Sequence, residues 1–141
     1  MSTATDPRPL MVEIAQLLYA RNLTNSAGGN ISCRVGDRIY IAPRKLGSGQ
    51  RWRLRQSMVL VFDLGLNPIE GDPALVSRES QMHFACYRHL PEVNGVLHAH
   101  ARYLSVFAAA GEPLLLGALG HLGQLARGAG DRGELAQQAV L

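Results

Sequence analysis

His98 and His100 stand two residues apart in the run Gly95-Val96-Leu97-His98-Ala99-His100, which reads as a strand. Residues i and i+2 of a strand share a face, so the two imidazoles project together. Imidazole nitrogen suits Zn2+, and a catalytic zinc takes three protein ligands and keeps one position open. The same pair could instead line a polar crevice or a partner interface. Glu79 opens the helix expected just before this strand, where the helix dipole favours a carboxylate. It could add a third metal ligand or act as a general base beside the metal; the plain alternative is an ordinary first-turn glutamate.

The other residues capable of chemistry carry weaker signals. Arg44, Lys45, Arg51, Arg53 and Arg55 crowd one segment around Trp52. Arginine forks grip phosphate and carboxylate, but a charge-rich segment of this kind reads first as a solvated surface loop, and RNA binding is not expected. Cys33 and Cys86 lack CxxC spacing and have no nearby group to lower their pKa, so they read as small core residues in a reduced, cytoplasmic setting. His83 and His89 fall on a helix, where a half-buried, hydrogen-bonded or surface role is the default. His121 lies in a glycine-rich stretch and reads as an exposed loop residue.

These residues need elements to position them. Asp6 and Pro7 precede a helical pattern with Leu10, Ile14, Leu17 and Leu18 on one face, ending near Asn22. Ser26-Ala27-Gly28-Gly29-Asn30 is a flexible turn into a short strand, Ile31 to Arg34. Val35-Gly36-Asp37 turns the chain into Arg38 to Ala42, making a hairpin. Pro43 to Arg55 is a loop, Met58 to Phe62 a buried strand, and Leu66 to Glu70 a shorter one. A helix from Ser77, its N-cap, to Leu90 is stopped by Pro91. The strand Gly95 to His100 and a helix from Arg102 to Ala110, capped by Gly111, follow. Residues 117–133 hold six glycines, and Glu134 to Leu141 reads as a short helix. Hairpin-joined strands with helices between them predict an α/β fold, an antiparallel sheet covered by helices.

The series Gly28-Gly29-Asn30-Ile31-Ser32, Ile39-Tyr40-Ile41-Ala42-Pro43, Met58 to Asp63, Ser77-Arg78-Glu79-Ser80-Gln81-Met82-His83 and Pro91 to His100 resembles the class II aldolase/adducin family. The likeness runs from about Leu10 to Gly111 and fades beyond. It implies a three-layer α/β/α sandwich around a mainly antiparallel sheet, usually assembled as a homotetramer with sites between subunits. It also implies that His98 and His100 bind a divalent metal, normally zinc, and that Glu79 is the acid/base residue, able to ligate the metal before substrate arrives. Gly29 and Asn30 in the glycine turn, with Ser77 and Arg78, would hold an anionic substrate such as a sugar phosphate. Gly28, Gly29, Asn30 and Arg78 are therefore expected to border one pocket.

Three positions depart from the family pattern. The third metal histidine of the family falls beyond Leu141. Arg78 replaces the second of two serines often found before the glutamate. Arg44-Lys45-Leu46-Gly47-Ser48-Gly49 stands where a hydroxyl-rich turn is usual.

The chain of 141 residues carries Lys+Arg 14 against Asp+Glu 11 and is 47% hydrophobic. That size suits one domain, residues 1–141, shortened at its C-terminus relative to the family, and the apolar fraction excludes a disordered chain. Asp6 and Glu13 interrupt the early apolar stretch, so no signal peptide is expected, and Gly111-Glu112-Pro113 splits the oily segment from Tyr103 to Gly120, so no membrane span is expected. The leading function is a metal-dependent lyase acting by aldol cleavage on a small hydroxylated keto or aldehyde substrate. An epimerase or dehydratase of the family, or a non-catalytic adducin-like binding module, is the alternative.

Overall fold

The computed structural model describes residues 6–102 together with 106, 109 and 110. Helix α1 (Arg8–Ala20) starts after Pro7 and buries Met11 and Ala15. Its C-terminus is closed by Asn22, left-handed at φ 55°, with the Leu23 N–H donating to the Leu18 carbonyl at 2.9 Å. An asparagine tolerates this conformation better than most residues, which is why the helix stops there.

Strands β1 (Asn30–Val35) and β2 (Arg38–Ile41) form the expected hairpin. Gly36, at φ 58°, opens its two-residue loop, the place where a tight hairpin turn takes glycine. Strands β3 (Leu60–Asp63) and β4 (Pro68–Glu70) follow, then helix α2 (Ser80–His89) and strand β5 (Gly95–His98). The sheet order is β4-β3-β2-β1-β5, and every neighbouring pair is antiparallel. The chain thus returns from α2 to place β5 beside β1, with Asn30 opposite His98 and Ser32 opposite Val96.

Alternation along the strands divides the core into two layers. On one face, Ile31, Tyr40 and Val61 pack with Met11 and Ala15 of α1 and with Trp52 and Leu54 from the loop. On the other, Ile39, Ile41, Leu60, Phe62 and Val96 pack with Phe84 and Tyr87 of α2. The result is α1, sheet and α2 in three layers.

Several boundaries differ from the sequence reading: β4 starts at Pro68 and not at Leu66, and three others differ for a local reason. A single 3-10 turn, Gln56–Met58, takes up the start of the expected third strand, which begins at Leu60. Ser77 does not cap α2; it opens a tight turn in which Ser80, Gln81 and Met82 N–H groups donate to the carbonyls of Ser77, Arg78 and Glu79. Glu79 is therefore the N-cap residue of α2. Strand β5 ends at His98, leaving His100 just past the sheet. Arg102, Val106, Ala109 and Ala110 are helical, as expected. Gly111, His121 and the expected helix from Glu134 lie outside the described residues.

Candidate functional site

His98 closes β5 on the face that α2 covers, since it lies two residues from Val96, which packs there. Its imidazole is nearly buried, and its Nδ1 has no hydrogen-bond partner among the described residues. The nearest charged group is the Glu79 carboxylate, whose Oε2 lies 3.8 Å from that Nδ1, too far for a hydrogen bond. The ring centroids of His98 and His100 are 5.1 Å apart, with the planes tilted by 49°. The two imidazoles meet although His100 has left the strand. Burial pushes the His98 pKa below its ordinary value, His100 pushes the same way, and Glu79 partly opposes both. The lowered pKa favours the neutral form of His98, the form able to bind a cation.

The glycine turn lies directly against this pair. A Cβ on Gly28 would sit 2.9 Å from Cε1 of His100, and one on Gly29 would come 2.7 Å from the His98 carbonyl oxygen and 2.4 Å from Trp52 Cζ2. Gly29 also has φ 114°, a conformation that costs a side chain dearly. Among the described residues, the Gly28 and Gly29 N–H groups donate to no protein acceptor. Asn30 is buried, its Oδ1 accepting from the Ile31 N–H at 2.8 Å and its Nδ2 donating to Ser80 Oγ at 3.4 Å. Its side chain is committed inside the protein, so an anion at this turn would meet backbone N–H groups and not the Asn30 amide.

The basic segment turns out to be the support of that turn. Leu46, Trp52 and Leu54 are buried, while Arg44, Lys45, Arg51, Arg53 and Arg55 between them face solvent. Trp52 packs its ring under Gly29 and donates from Nε1 to the Asn25 carbonyl at 2.9 Å. Lys45, Arg51 and Trp52 all adopt positive φ, at 62°, 50° and 59°. Such backbone persists only where surrounding packing over-determines it. Here the packing is Trp52 beneath the turn and Gly47 against the Gly28 carbonyl.

Ser77 and Arg78 play different parts. Ser77 Oγ accepts from the Glu79 N–H at 3.2 Å and so shapes the turn that presents Glu79. Arg78 is exposed and its side chain makes no hydrogen bond or ion pair among the described residues, so the structure does not join it to the glycine turn.

A polar seam between β1 and α2 was not singled out by sequence. Ser32 Oγ lies 2.6 Å from His83 Nδ1 and 2.7 Å from the Tyr87 hydroxyl, all buried. Burial pushes the His83 pKa down to about 4, with His98 adding to it. Burial raises the Tyr87 phenol well above its ordinary range, although its bond with Ser32 works against this. One signal was available: Asn30, Ser32 and Arg34 alternate with Ile31, Cys33 and Val35, and Ser80, His83 and Tyr87 recur at helical spacing. The thiols are inert at neutral pH, with Cys33 raised to about 11, chiefly by burial, and Cys86 raised by burial too.

Among the described residues, no group of three His, Cys, Asp or Glu side chains is already gathered where a metal ion would fit. The donor chemistry nevertheless suits one. Tetrahedral zinc with bonds of about 2.1 Å separates its donor atoms by roughly 3.4 Å, and His98 Nδ1 and Glu79 Oε2 are 3.8 Å apart, a little wider than that. Two imidazoles and a carboxylate are donor types that a divalent cation takes, though among the described residues they are not gathered around one point.

Residues 10–134 match the class II aldolase and adducin N-terminal domain, and the chain belongs to that family. The match reaches further toward the C-terminus than the sequence motifs indicated. The family is typically metal-dependent. An L-fuculose phosphate aldolase of Methanococcus maripaludis is 35% identical over 105 residues, which is 74% of this chain and 55% of the relative. A 3-oxo-tetronate 4-phosphate decarboxylase of Haemophilus influenzae is 31% identical over 102 residues, 72% of this chain and 46% of the relative. The solved structure of an L-fuculose 1-phosphate aldolase superposes with a TM-score of 0.69 at 26% identity, over 81% of this chain and 54% of its own. The chain spans about half the length of the curated relatives it matches. No described helix is long and apolar enough to cross a membrane.

Proposed function

We propose that this chain serves a metal-dependent lyase that cleaves a small phosphorylated hydroxy-ketone by aldol-type chemistry. One observation carries the reading: the buried, unpartnered Nδ1 of His98 faces the Glu79 carboxylate at 3.8 Å, with the His100 ring alongside. His98, His100 and Glu79 would hold the metal, zinc by preference for nitrogen and oxygen donors. When bound, such an ion supplies Lewis acidity that stabilises negative charge developing on a substrate oxygen.

The protein's own residues supply the rest. Burial lowers the His98 pKa, which favours the neutral imidazole that can bind a cation. The Glu79 side chain is 44% exposed, so it can reach both a substrate and solvent and can move a proton at the reacting carbon or hydroxyl. The free N–H groups of Gly28 and Gly29 form an anion-binding concavity, and exposed Arg78 adds positive charge on the α2 side. A homo-oligomer with the site at a subunit boundary, in the cytoplasm, belongs to the same reading; the exposed Leu10, Leu17 and Leu23 are suited to such contacts.

The relatives point to the substrates to try. Zinc-loaded protein should release carbonyl products from L-fuculose 1-phosphate or carbon dioxide from 3-oxo-tetronate 4-phosphate, and Glu79→Gln should reduce turnover at least a hundredfold, at the low end of what removing a general base costs. Tight zinc binding with no turnover of either compound, and none of related sugar phosphates, would favour the binding-module reading.

A further inference from the structure

Alternate residues of β1 on the α2 face are polar, and each is tied to α2 or to the chain leaving it. Asn30 Nδ2 donates to Ser80 Oγ at 3.4 Å, Ser32 Oγ is hydrogen-bonded to His83 Nδ1 at 2.6 Å and to the Tyr87 hydroxyl at 2.7 Å, and the Arg34 guanidinium donates to the Tyr87 carbonyl at 3.3 Å and to the Pro91 carbonyl. Apolar contacts tolerate a helix sliding over a sheet, whereas hydrogen bonds are directional and break when it moves. A shift of α2 by one turn, about 5.4 Å, would break all of these at once. Glu79 immediately precedes Ser80, and His98 lies opposite Asn30 in the sheet. The register that the seam enforces is therefore also the register that sets Glu79 against His98.

The proton inventory gives the seam a direction. Tyr87 and Ser32 carry one hydroxyl proton each, and neutral His83 carries one ring proton. If Tyr87 donates to Ser32 and Ser32 donates to His83 Nδ1, both hydroxyl protons have acceptors and only the ring proton, on Nε2, lacks one among the described residues. In the opposite sense, the Tyr87 proton has no acceptor and the Nε2 lone pair no donor among the described residues, so two groups are left unpaired. His83 Nε2 and His98 Nδ1 are both buried without a hydrogen-bond partner, on the same face of the sheet.

We propose that His83, held as its Nε2–H tautomer by the Ser32–Tyr87 hydroxyl pair, is the positioning residue that keeps Glu79 and His98 together. It acts through the α2–β1 register and touches no substrate. The proposal rests on the reading of Glu79 and His98 as a functional pair, but its test does not need activity.

Asparagine places an amide where Nδ1 lies, and glutamine places one where Nε2 lies. His83→Asn therefore keeps the bond to Ser32, and His83→Gln loses it. In metal-free protein, a nuclear Overhauser contact between the Glu79 methylenes and the His98 ring should appear in the wild type and in His83→Asn and vanish in His83→Gln. The wild-type His83 15N shifts should show the Nε2–H form. Zinc affinity should fall about tenfold or more in His83→Gln, the scale on which groups orienting metal ligands act, and stay within about threefold of wild type in His83→Asn. Tyr87→Phe removes one hydroxyl with little change of shape; it should weaken zinc binding in the same direction and covers the case that a His83 variant fails to fold. A Glu79–His98 contact that persists in folded His83→Gln, or an Nδ1–H tautomer in the wild type, would overturn the proposal. A wild type that shows the contact yet binds no zinc would instead overturn the metal reading and leave the positioning role standing.

Discussion

On the α1 side of the sheet, β1 contributes Ile31, Cys33 and Val35, and they meet Met11, Tyr40, Trp52 and Val61 in an apolar layer. On the α2 side, the same strand contributes Asn30, Ser32 and Arg34, and they meet Ser80, His83 and Tyr87 through hydrogen bonds. One strand thus builds two kinds of contact. The apolar layer supplies burial, which is strong but indifferent to small shifts. The polar seam adds little net stability, because each bond replaces one with water, yet leaving any member unpaired is costly. Apolar packing supports both faces of the sheet, and the candidate site lies on the one where β1 also enforces position through hydrogen bonds.

The largest effect that can break this comparison is at Trp52, which is fully buried at 0% exposure. Trp52→Ala should cost about 3–5 kcal/mol by chemical denaturation, as expected for a large buried aromatic. It should also loosen the Gly28–Gly29 turn that rests on the ring, seen as faster amide exchange there. A loss below about 1 kcal/mol would show that the basic loop is not structural support.

Acid should act on the other face. His83 has its folded pKa lowered from 6.5 to about 4, so between those values the unfolded chain binds more protons than the folded one. Stability from this group is complete above pH 6.5 and is lost as pH falls toward 4, on the order of 3 kcal/mol in total. The lowered His98 pKa adds in the same direction. Denaturation from pH 7 to 4 should show this loss, and His83→Asn should flatten the curve; an unchanged slope in the variant would place the proton uptake elsewhere.

Neighbouring residues of β1 give a finer comparison. Ser32→Ala leaves His83 Nδ1 and the Tyr87 hydroxyl unpaired and should cost about 1–3 kcal/mol. Cys33→Ala, pointing to the apolar layer, should cost roughly 1 kcal/mol or less. Equal losses would mean that the two faces do not differ as described. The smallest effect is expected at Arg51, exposed and at φ 50°. Arg51→Gly should change stability by no more than about 1 kcal/mol, on the stabilising side, because glycine accepts that backbone freely.

Much of the fold was legible because alternation, turn residues and helix stops act locally. The hairpin followed from Val35-Gly36-Asp37, and the end of α1 from Asn22. The nearness of His98 and Glu79 was legible because element order places them together, whereas His100 meets His98 from beyond the end of the strand. The start of α2 was misjudged: Ser77 is a good cap by type, but its hydroxyl binds the Glu79 N–H two residues on and makes a turn before the helix begins. His83 stayed hidden because a histidine in a helix carries no mark of its partner; Ser32 lies 51 residues away in sequence. Trp52 looked like part of a charged surface segment, and only tertiary packing shows that the arginines beside it are the exposed edge of a buried buttress.

Zinc titration by calorimetry, comparing the wild type with His98→Ala, His100→Ala and Glu79→Ala, tests the central claim most directly. Stoichiometric binding is expected in the wild type, with its loss in both histidine variants and a weaker but measurable affinity in Glu79→Ala. Wild-type affinity in His98→Ala or His100→Ala, or no zinc bound by the wild type, would contradict it.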